Sequence, residues 1–383
     1  MRLQALAAGF IAVTVGTSST VVLLLQGSEA AGIGQRGFES WLFAALLGSG
    51  VVGIALSLRY RQPILIAWST PGAALLVGSL GDYAWPDALG AFVVAGVATA
   101  VVGVTGAFRR LLARVPPSVV MAVLAGVLLP FGLRMMQAIP DAPVLVVGMI
   151  ATYLVLARLR VRGPVIGAFA FGLVVVLAGG DLDTAAGLRL ELATPVWTWP
   201  RFDLEAILAL GLPLWVLTMT AQNATGVAVL QANGYEPPTD ATLVAVGTAS
   251  AVLAPLGSHA LNLAALSAAF VAGPEGGEDR SERWRAAVAA GVAYLLVAAF
   301  AGTAAALFAA LPGAFVAALA GLGLLGVLAT SLHAALAPES REPALLALLV
   351  AASGVTLLGV GAAFWGLVTG LMAAAFLGRL RAG

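Results

Sequence analysis

The chain of 383 residues contains no cysteine. Disulfides, thiolate nucleophiles and cysteine-based metal sites are therefore excluded. Only two histidines are present, His259 and His333, and they make no metal-ligand spacing, so no metal is expected. Lysine is absent; all nineteen basic residues are arginine. Charged residues make up 10% of the chain and the net charge is +1, which leaves no basic surface for nucleic acid. What fills the chain instead is apolar: 61% hydrophobic residues and a mean hydropathy of +1.02. Water-soluble domains do not have this composition, so the chain is read as a membrane protein.

Residues 3–25 follow Arg2 and could pass for a secretory signal, but the run is long and holds Thr14, Thr17, Ser18, Ser19 and Thr20. It reads as a first transmembrane helix. A crossing helix needs about 20 apolar residues. Full spans are expected at 3–26, 41–58, 87–108, 117–138, 142–157, 164–180, 204–231, 240–255, 286–309, 313–334, 343–359 and 361–378, the last two parted by Gly359 and Gly361. Two further segments, near 63–80 and 255–273, are apolar but interrupted. Counting each as one crossing gives fourteen. With both termini cytoplasmic, fifteen arginines fall inside and only Arg36, Arg134, Arg189 and Arg201 outside, as the positive-inside rule requires. Dropping either interrupted segment spoils that asymmetry.

Fourteen crossings divide into two inverted repeats of seven, an architecture of secondary transporters. The expected fold is therefore an all-α polytopic membrane protein in which segments 3 and 10 are each a short strand plus a half-helix. In segment 3, Pro63 and the β-branched and aromatic run Ile64–Trp68 read as extended, and Ser69-Thr70-Pro71-Gly72 reads as a helix start. In segment 10 the strand is expected over Pro255–Ala260 and the helix from about Leu261. Irregular backbone at membrane depth is tolerated where it is buried or lines a cavity. Two helix N-termini meeting near the bilayer midplane offer free N–H groups and positive dipole ends, which suit an anion without any arginine.

Candidate site residues cluster around these breaks. Ser69 and Thr70 are placed to cap the first half-helix, to touch a ligand, or both. Gln222 and Asn223 lie inside the eighth crossing, where they either hydrogen-bond between helices or reach substrate. His259 and Asn262 flank the expected start of the second half-helix; His259 is either a satisfied structural residue or a group that titrates near neutrality. Trp68 is at depth and offers an aromatic wall, whereas Trp197 and Trp199 read as outer interface anchors and His333 as a surface residue. All eighteen carboxylates fall in loops or at helix ends on this map. His259 is thus the candidate proton carrier, with Glu29 or Asp82 as alternatives. Ser258-His259 lacks a Gly-x-Ser-x-Gly elbow, so an enzyme is not expected.

The segment Pro63-Ile-x-x-Ala-Trp-Ser-Thr-Pro-Gly-Ala-Ala-Leu75 resembles the signature of the BenE benzoate/proton symporters. So do Gly257-Ser-His-Ala-Leu-Asn-Leu-Ala-Ala265, Gln222-Asn223 with Gly226, and Gly234-Tyr235. That family is similar in architecture to the uracil permease and sulfate-anion-transporter group. The resemblance implies a core domain from 1–110 and 200–310, a gate domain from 111–199 and 311–383, elevator-like alternating access and a homodimer. It implies import of benzoate or a related aromatic carboxylate with protons across the inner membrane, without cofactors. The substrate-contacting set would be Trp68, Ser69, Thr70, Pro71, Gly72, Gln222, Asn223, His259, Asn262 and Leu263. Uracil permease carries glutamates where this chain has Gln222, Asn223 and Asn262, which argues against a nucleobase. A passive anion channel or exchanger, and a non-transporting membrane receptor or scaffold, are the competing readings.

Overall fold

The computed structural model describes every residue except 1, 2, 19, 109, 111–115, 162, 163, 180–190, 265, 266, 337–340, 356, 358–361 and 378–383. The expected turn at Gly359 and Gly361 lies outside the described residues. In chain order the elements are α1 (Leu3–Ser18), α2 (Val21–Ala30), α3 (Gly34–Tyr60), β1 (Ile66–Trp68), α4 (Thr70–Val77), α5 (Trp85–Thr105), α6 (Pro117–Gln137), α7 (Pro143–Arg158) and α8 (Pro164–Gly179). The second half holds α9 (Leu204–Gln231), α10 (Thr239–Leu253), β2 (Leu261–Leu263), α11 (Ala268–Ala272), α12 (Trp284–Ala299), α13 (Ala301–Ala309), α14 (Gly313–Ala335), α15 (Arg341–Ser353) and α16 (Ala362–Phe376). Among the described residues, six helices are each long and apolar enough to cross a membrane: α3, α5, α6, α9, α14, and α10 with its 3₁₀ extension to Leu256. Arg280–Ala299 and Ala301–Phe308 together make a seventh, bent by 74°.

Proline sets several helix starts. Pro86, Pro117, Pro143 and Pro164 stand in the first turn of α5, α6, α7 and α8, where a missing N–H costs no hydrogen bond. Segment 3, numbered here as crossing 3 of the expected fourteen, takes the strand-plus-half-helix form that the sequence predicts. The extended run gives β1, the Ser69 side chain caps α4 by accepting from Gly72 N–H at 3.1 Å, and Pro71 follows inside the first turn.

Crossing 10 differs from expectation. Pro255 belongs to a 3₁₀ turn, Ala254–Leu256, that ends crossing 9. Gly257 then turns the chain at φ 106°, a conformation that glycine adopts without a Cβ penalty. The strand is Leu261–Leu263, and the helix is described from Ala268 rather than from Leu261. Asn262 therefore sits within a strand, not at a helix start. β1 and β2 pair antiparallel, with Ile66 opposite Leu263, Ala67 opposite Asn262 and Trp68 opposite Leu261.

A two-stranded ribbon inside a membrane must have its outer edges satisfied, because no water is there to do it. Small polar side chains on the surrounding helices supply the partners. Ser57 Oγ donates to the Ile64 carbonyl at 2.9 Å, Ser250 Oγ accepts from Leu261 N–H at 2.8 Å, and Asn223 Oδ1 accepts from Leu263 N–H at 3.0 Å. Gly226 lets β2 lie against α9: a Cβ there would stand 2.5 Å from Leu263 Cβ.

The helices around the ribbon pack in pairs that correspond under exchange of the two halves. Crossing 2 meets crossing 11 at Gly50 and Gly291, and crossing 4 meets crossing 9 at Gly96 and Gly247. In both pairs a Cβ would fall within 3.1 Å of the partner's carbonyl, so small residues set the close approach. Crossing 11 was expected as one helix over 286–309, but it breaks at Phe300 between α12 and α13. The carbonyl of Ala299 accepts instead from Ala193 N–H at 2.9 Å. A group inserted into the helical ladder is a recognised cause of such a kink.

Ala193 belongs to an extended segment, 191–201, that leads into α9. Thr194 bonds through its N–H and hydroxyl to Glu39 Oε1, and Val196 N–H donates to Ser40 Oγ at 2.9 Å. Thr198 N–H donates to the Pro255 carbonyl at 2.8 Å. Arg201 donates to the Pro86 carbonyl and pairs bidentately with Asp87. Glu39 and Asp87 are thus buried carboxylates near helix starts, satisfied by this segment.

Candidate functional site

The ribbon brings the predicted residues together. Ser69 is their hub. Its N–H donates to the Ala260 carbonyl at 2.9 Å, and its own carbonyl accepts from Ala73 N–H at 2.8 Å. Its Oγ accepts from Gly72 N–H and from Thr218 Oγ1, the latter at 3.2 Å. Asn262, its amide oriented to satisfy both ends, accepts from Ser69 N–H at 2.9 Å and donates to the Leu263 carbonyl at 2.7 Å.

His259 completes the hub and is wholly buried. Trp41 Nε1–H donates to His259 Nδ1 at 3.0 Å, so Nδ1 carries no proton. His259 Nε2 lies 2.9 Å from the Ser69 carbonyl, which can only accept, so Nε2 holds the hydrogen. The two partners fix a neutral imidazole in one tautomer. Trp41 is itself locked in an aromatic cluster, its ring centroid 5.3 Å from Trp85 and 6.3 Å from Phe92. Trp41 was not singled out from the sequence, where it reads as one more apolar residue of crossing 2.

The predicted residues separate into two groups. Ser69, Asn223, His259 and Asn262 are fully buried and bonded chiefly to backbone; they hold the ribbon and the α4 start in place. Thr70 and Gln222 are half-buried, and neither the Thr70 hydroxyl nor the Gln222 amide has a hydrogen-bond partner among the described residues. Pro71, Gly72 and Leu263 are buried in packing, with Gly72 against Leu214 and Leu263 against Gly226. Trp68 is buried with its ring against Tyr294, centroids 6.1 Å apart. Trp197, Trp199 and His333 are exposed, as expected.

Gln222 and Asn223 stand in a π-helical turn, Thr218–Asn223, of α9. Such turns widen a helix locally and recur at functional sites. A second π turn, Ile207–Gly211, directly precedes Leu212-Pro213, where proline cannot donate into the ladder. Among the described residues no three His, Asp or Glu side chains gather as metal ligands. The chemistry on offer is that of polar, uncharged groups at a helix start, enclosed by apolar side chains.

Comparison with known proteins places this arrangement. Solved structures of similar fold include the transmembrane domain of a cyanobacterium bicarbonate transporter, BicA, with TM-score 0.60 at 14% identity, covering 97% of each chain. SLC26A9 matches with TM-score 0.62 at 12% identity, over 97% of this chain and 65% of that one. Both likenesses concern the fold, an inverted-repeat membrane transporter architecture. In sequence, the chain is 39% identical over 366 residues to the inner membrane protein YdcO of Escherichia coli (strain K12), covering 95% of this chain and 93% of that protein. It is 33% identical over 372 residues to the benzoate membrane transport protein of Acinetobacter baylyi (strain ATCC 33305 / BD413 / ADP1), covering 97% and 94%. The BenE family model, described as benzoate membrane transport protein, matches residues 1–376. The chain is a multi-pass membrane transporter, not an enzyme, and it belongs to the BenE family.

Proposed function

We propose that the chain imports benzoate or a closely related aromatic carboxylate into the cytoplasm together with a proton. The observation that carries this reading is the junction of the two ribbon-and-helix units. Thr70 at the start of α4 and Gln222 in the π turn of α9, a turn joined to that start by the Thr218–Ser69 hydrogen bond, carry polar groups that bond to no arginine or carboxylate among the described residues. A site of that kind favours a substrate that brings its own negative charge. The apolar side chains around the ribbon suit an aromatic ring.

In this reading fourteen crossings place both termini in the cytoplasm. Crossings 1–4 and 8–11 form a core that moves as an elevator against a gate of crossings 5–7 and 12–14. The hydrogen bonds of residues 191–199 run to crossings 2, 9 and 11, so we count that segment with the core and move the boundary from 199 to before Glu191. Proton coupling through His259 carries a geometric condition. Nδ1 can take a proton only when the Trp41 indole releases it, so protonation is tied to a rearrangement at crossing 2.

Proteoliposome uptake tests the proposal. Vesicles holding the protein should accumulate labelled benzoate when the outside is acidified, above the leak of empty vesicles, and a protonophore should abolish the gain. Uptake that ignores the protonophore favours a passive channel or exchanger. Behaviour identical to empty vesicles rejects transport of this substrate.

A further inference from the structure

Three hydrogen-bond donors near the start of α11 have no partner among the described residues. Trp68 Nε1 is buried without a partner. The hydroxyls of Ser267 and Tyr294 have none among the described residues. All three residues are more than nine-tenths buried, at 4%, 8% and 1% exposure. They belong to β1, to the residue preceding α11, and to α12.

They are also neighbours. The Trp68 and Tyr294 rings meet edge-on at 61°, centroids 6.1 Å apart. Ser267 Oγ and Tyr294 Oη each lie 3.6 Å from the point a Cβ on Gly16 would occupy. Glycine at that position of α1 leaves both hydroxyls uncovered on that side. Buried polar groups almost always have partners, and three unpaired donors in one place call for an external acceptor. Trp68 can only donate, and the two hydroxyls can donate as readily as accept. Among the described residues no charged side chain bonds to any of the three, and an oxygen anion offers acceptors for all of them.

We infer that Trp68 Nε1, Ser267 Oγ and Tyr294 Oη hold the carboxylate of an aromatic acid. The inference rests on the proposed function and adds to it two residues, Ser267 and Tyr294, and an orientation. The carboxylate faces crossings 1, 10 and 11, where Gly16, Ser267 and Tyr294 lie. Specificity follows from the donor set. An ionised carboxylate satisfies all three groups, whereas a neutral amide or alcohol of the same ring size presents fewer acceptors.

The test measures equilibrium binding of labelled benzoate to the purified full-length chain. Tyr294→Phe and Ser267→Ala each remove one hydroxyl and should raise Kd about tenfold or more, the usual scale for a hydrogen bond to a charged partner. Gly16→Ala should do the same without removing any donor. Its methyl would stand at ordinary contact distance, 3.6 Å, from both hydroxyls and cover them, and alanine is at home in a helix. Benzamide should fail to compete at concentrations where benzoate does. Each variant's ligand-free melting temperature shows that it is folded. Wild-type binding that survives Tyr294→Phe and Gly16→Ala unchanged overturns this inference and leaves the proposed function standing. Wild-type protein that binds no benzoate overturns both.

Discussion

Ser250→Ala probes whether side chains from the helices hold the membrane-embedded ribbon. Ser250 Oγ donates to the Val246 carbonyl at 2.6 Å and, through a lone pair, accepts from Leu261 N–H at 2.8 Å. Alanine removes both bonds, but their costs differ. Val246 belongs to α10, so its carbonyl keeps an intrahelical partner. Leu261 N–H points away from β1 into a side of crossing 9 that is 2% exposed at Ser250, and no water replaces the hydroxyl. The penalty is therefore that of one orphaned buried donor, about 1–3 kcal/mol. Removing the hydroxyl leaves a void of one oxygen, which adds little. Asn223→Ala orphans Leu263 N–H in the same way on the same strand. Because the two donors are two residues apart in one ribbon, the double variant should be less than additive: once one end frays, the other has less to lose. The measurement is reversible denaturation in a defined detergent, with amide exchange at Leu261 and Leu263 as the local readout. Ser250→Thr, which retains the oxygen, should recover most of the loss. If Ser250→Ala shifts stability by less than about 0.5 kcal/mol and leaves Leu261 exchange slow, the bracing argument is wrong.

Two further expectations concern the site. His259→Gln keeps a donor and an acceptor but cannot titrate; benzoate binding by the wild type should tighten as pH falls, by at most about tenfold per pH unit for one linked proton, and in the variant should be nearly flat between about pH 5 and 8. A variant that retains the full wild-type slope would move the proton to a carboxylate. Gln222→Leu removes the free amide while keeping a helix-forming side chain of similar length, and should weaken binding by about 1–3 kcal/mol with little change in stability; an unaltered Kd removes Gln222 from the site. Asn262, by contrast, bonds to the ribbon itself, so its loss should be read in stability before affinity.

The two interrupted crossings were not equally legible. Crossing 3 announced itself: Pro63, a β-branched run, a serine at the cap and Pro71 in the first turn all point the same way, and β1 and α4 fall where those residues put them. Crossing 10 has no such punctuation. Its single proline, Pro255, closes the preceding helix, and Leu261–Leu263 has nothing to separate it from a buried helical turn. Only its pairing with β1 makes it a strand, and pairing is a tertiary fact. The break at Phe300 was hidden for a related reason, since the N–H that claims Ala299's carbonyl comes from a residue more than a hundred positions away. His259 was found because it is rare, but Trp41, which fixes its tautomer, had no marker in an apolar helix. Ser267 and Tyr294 were equally silent, being ordinary small and aromatic residues on helical segments.

The extended segment 191–201 has a bearing on how motion in this protein is observed. It is held at Glu39, Ser40, Pro86, Asp87, Pro255 and Ala299, which lie on crossings 2, 4, 9 and 11. A reporter placed on it therefore records the position of those four crossings at once. Since the chain has no native thiol, a single cysteine at an exposed position such as Trp199 would carry the only label. Paired with a second cysteine on α14 or α15, it would turn the displacement that the proposed elevator requires into a measurable distance, and a distance that stays fixed on adding substrate would count against that motion.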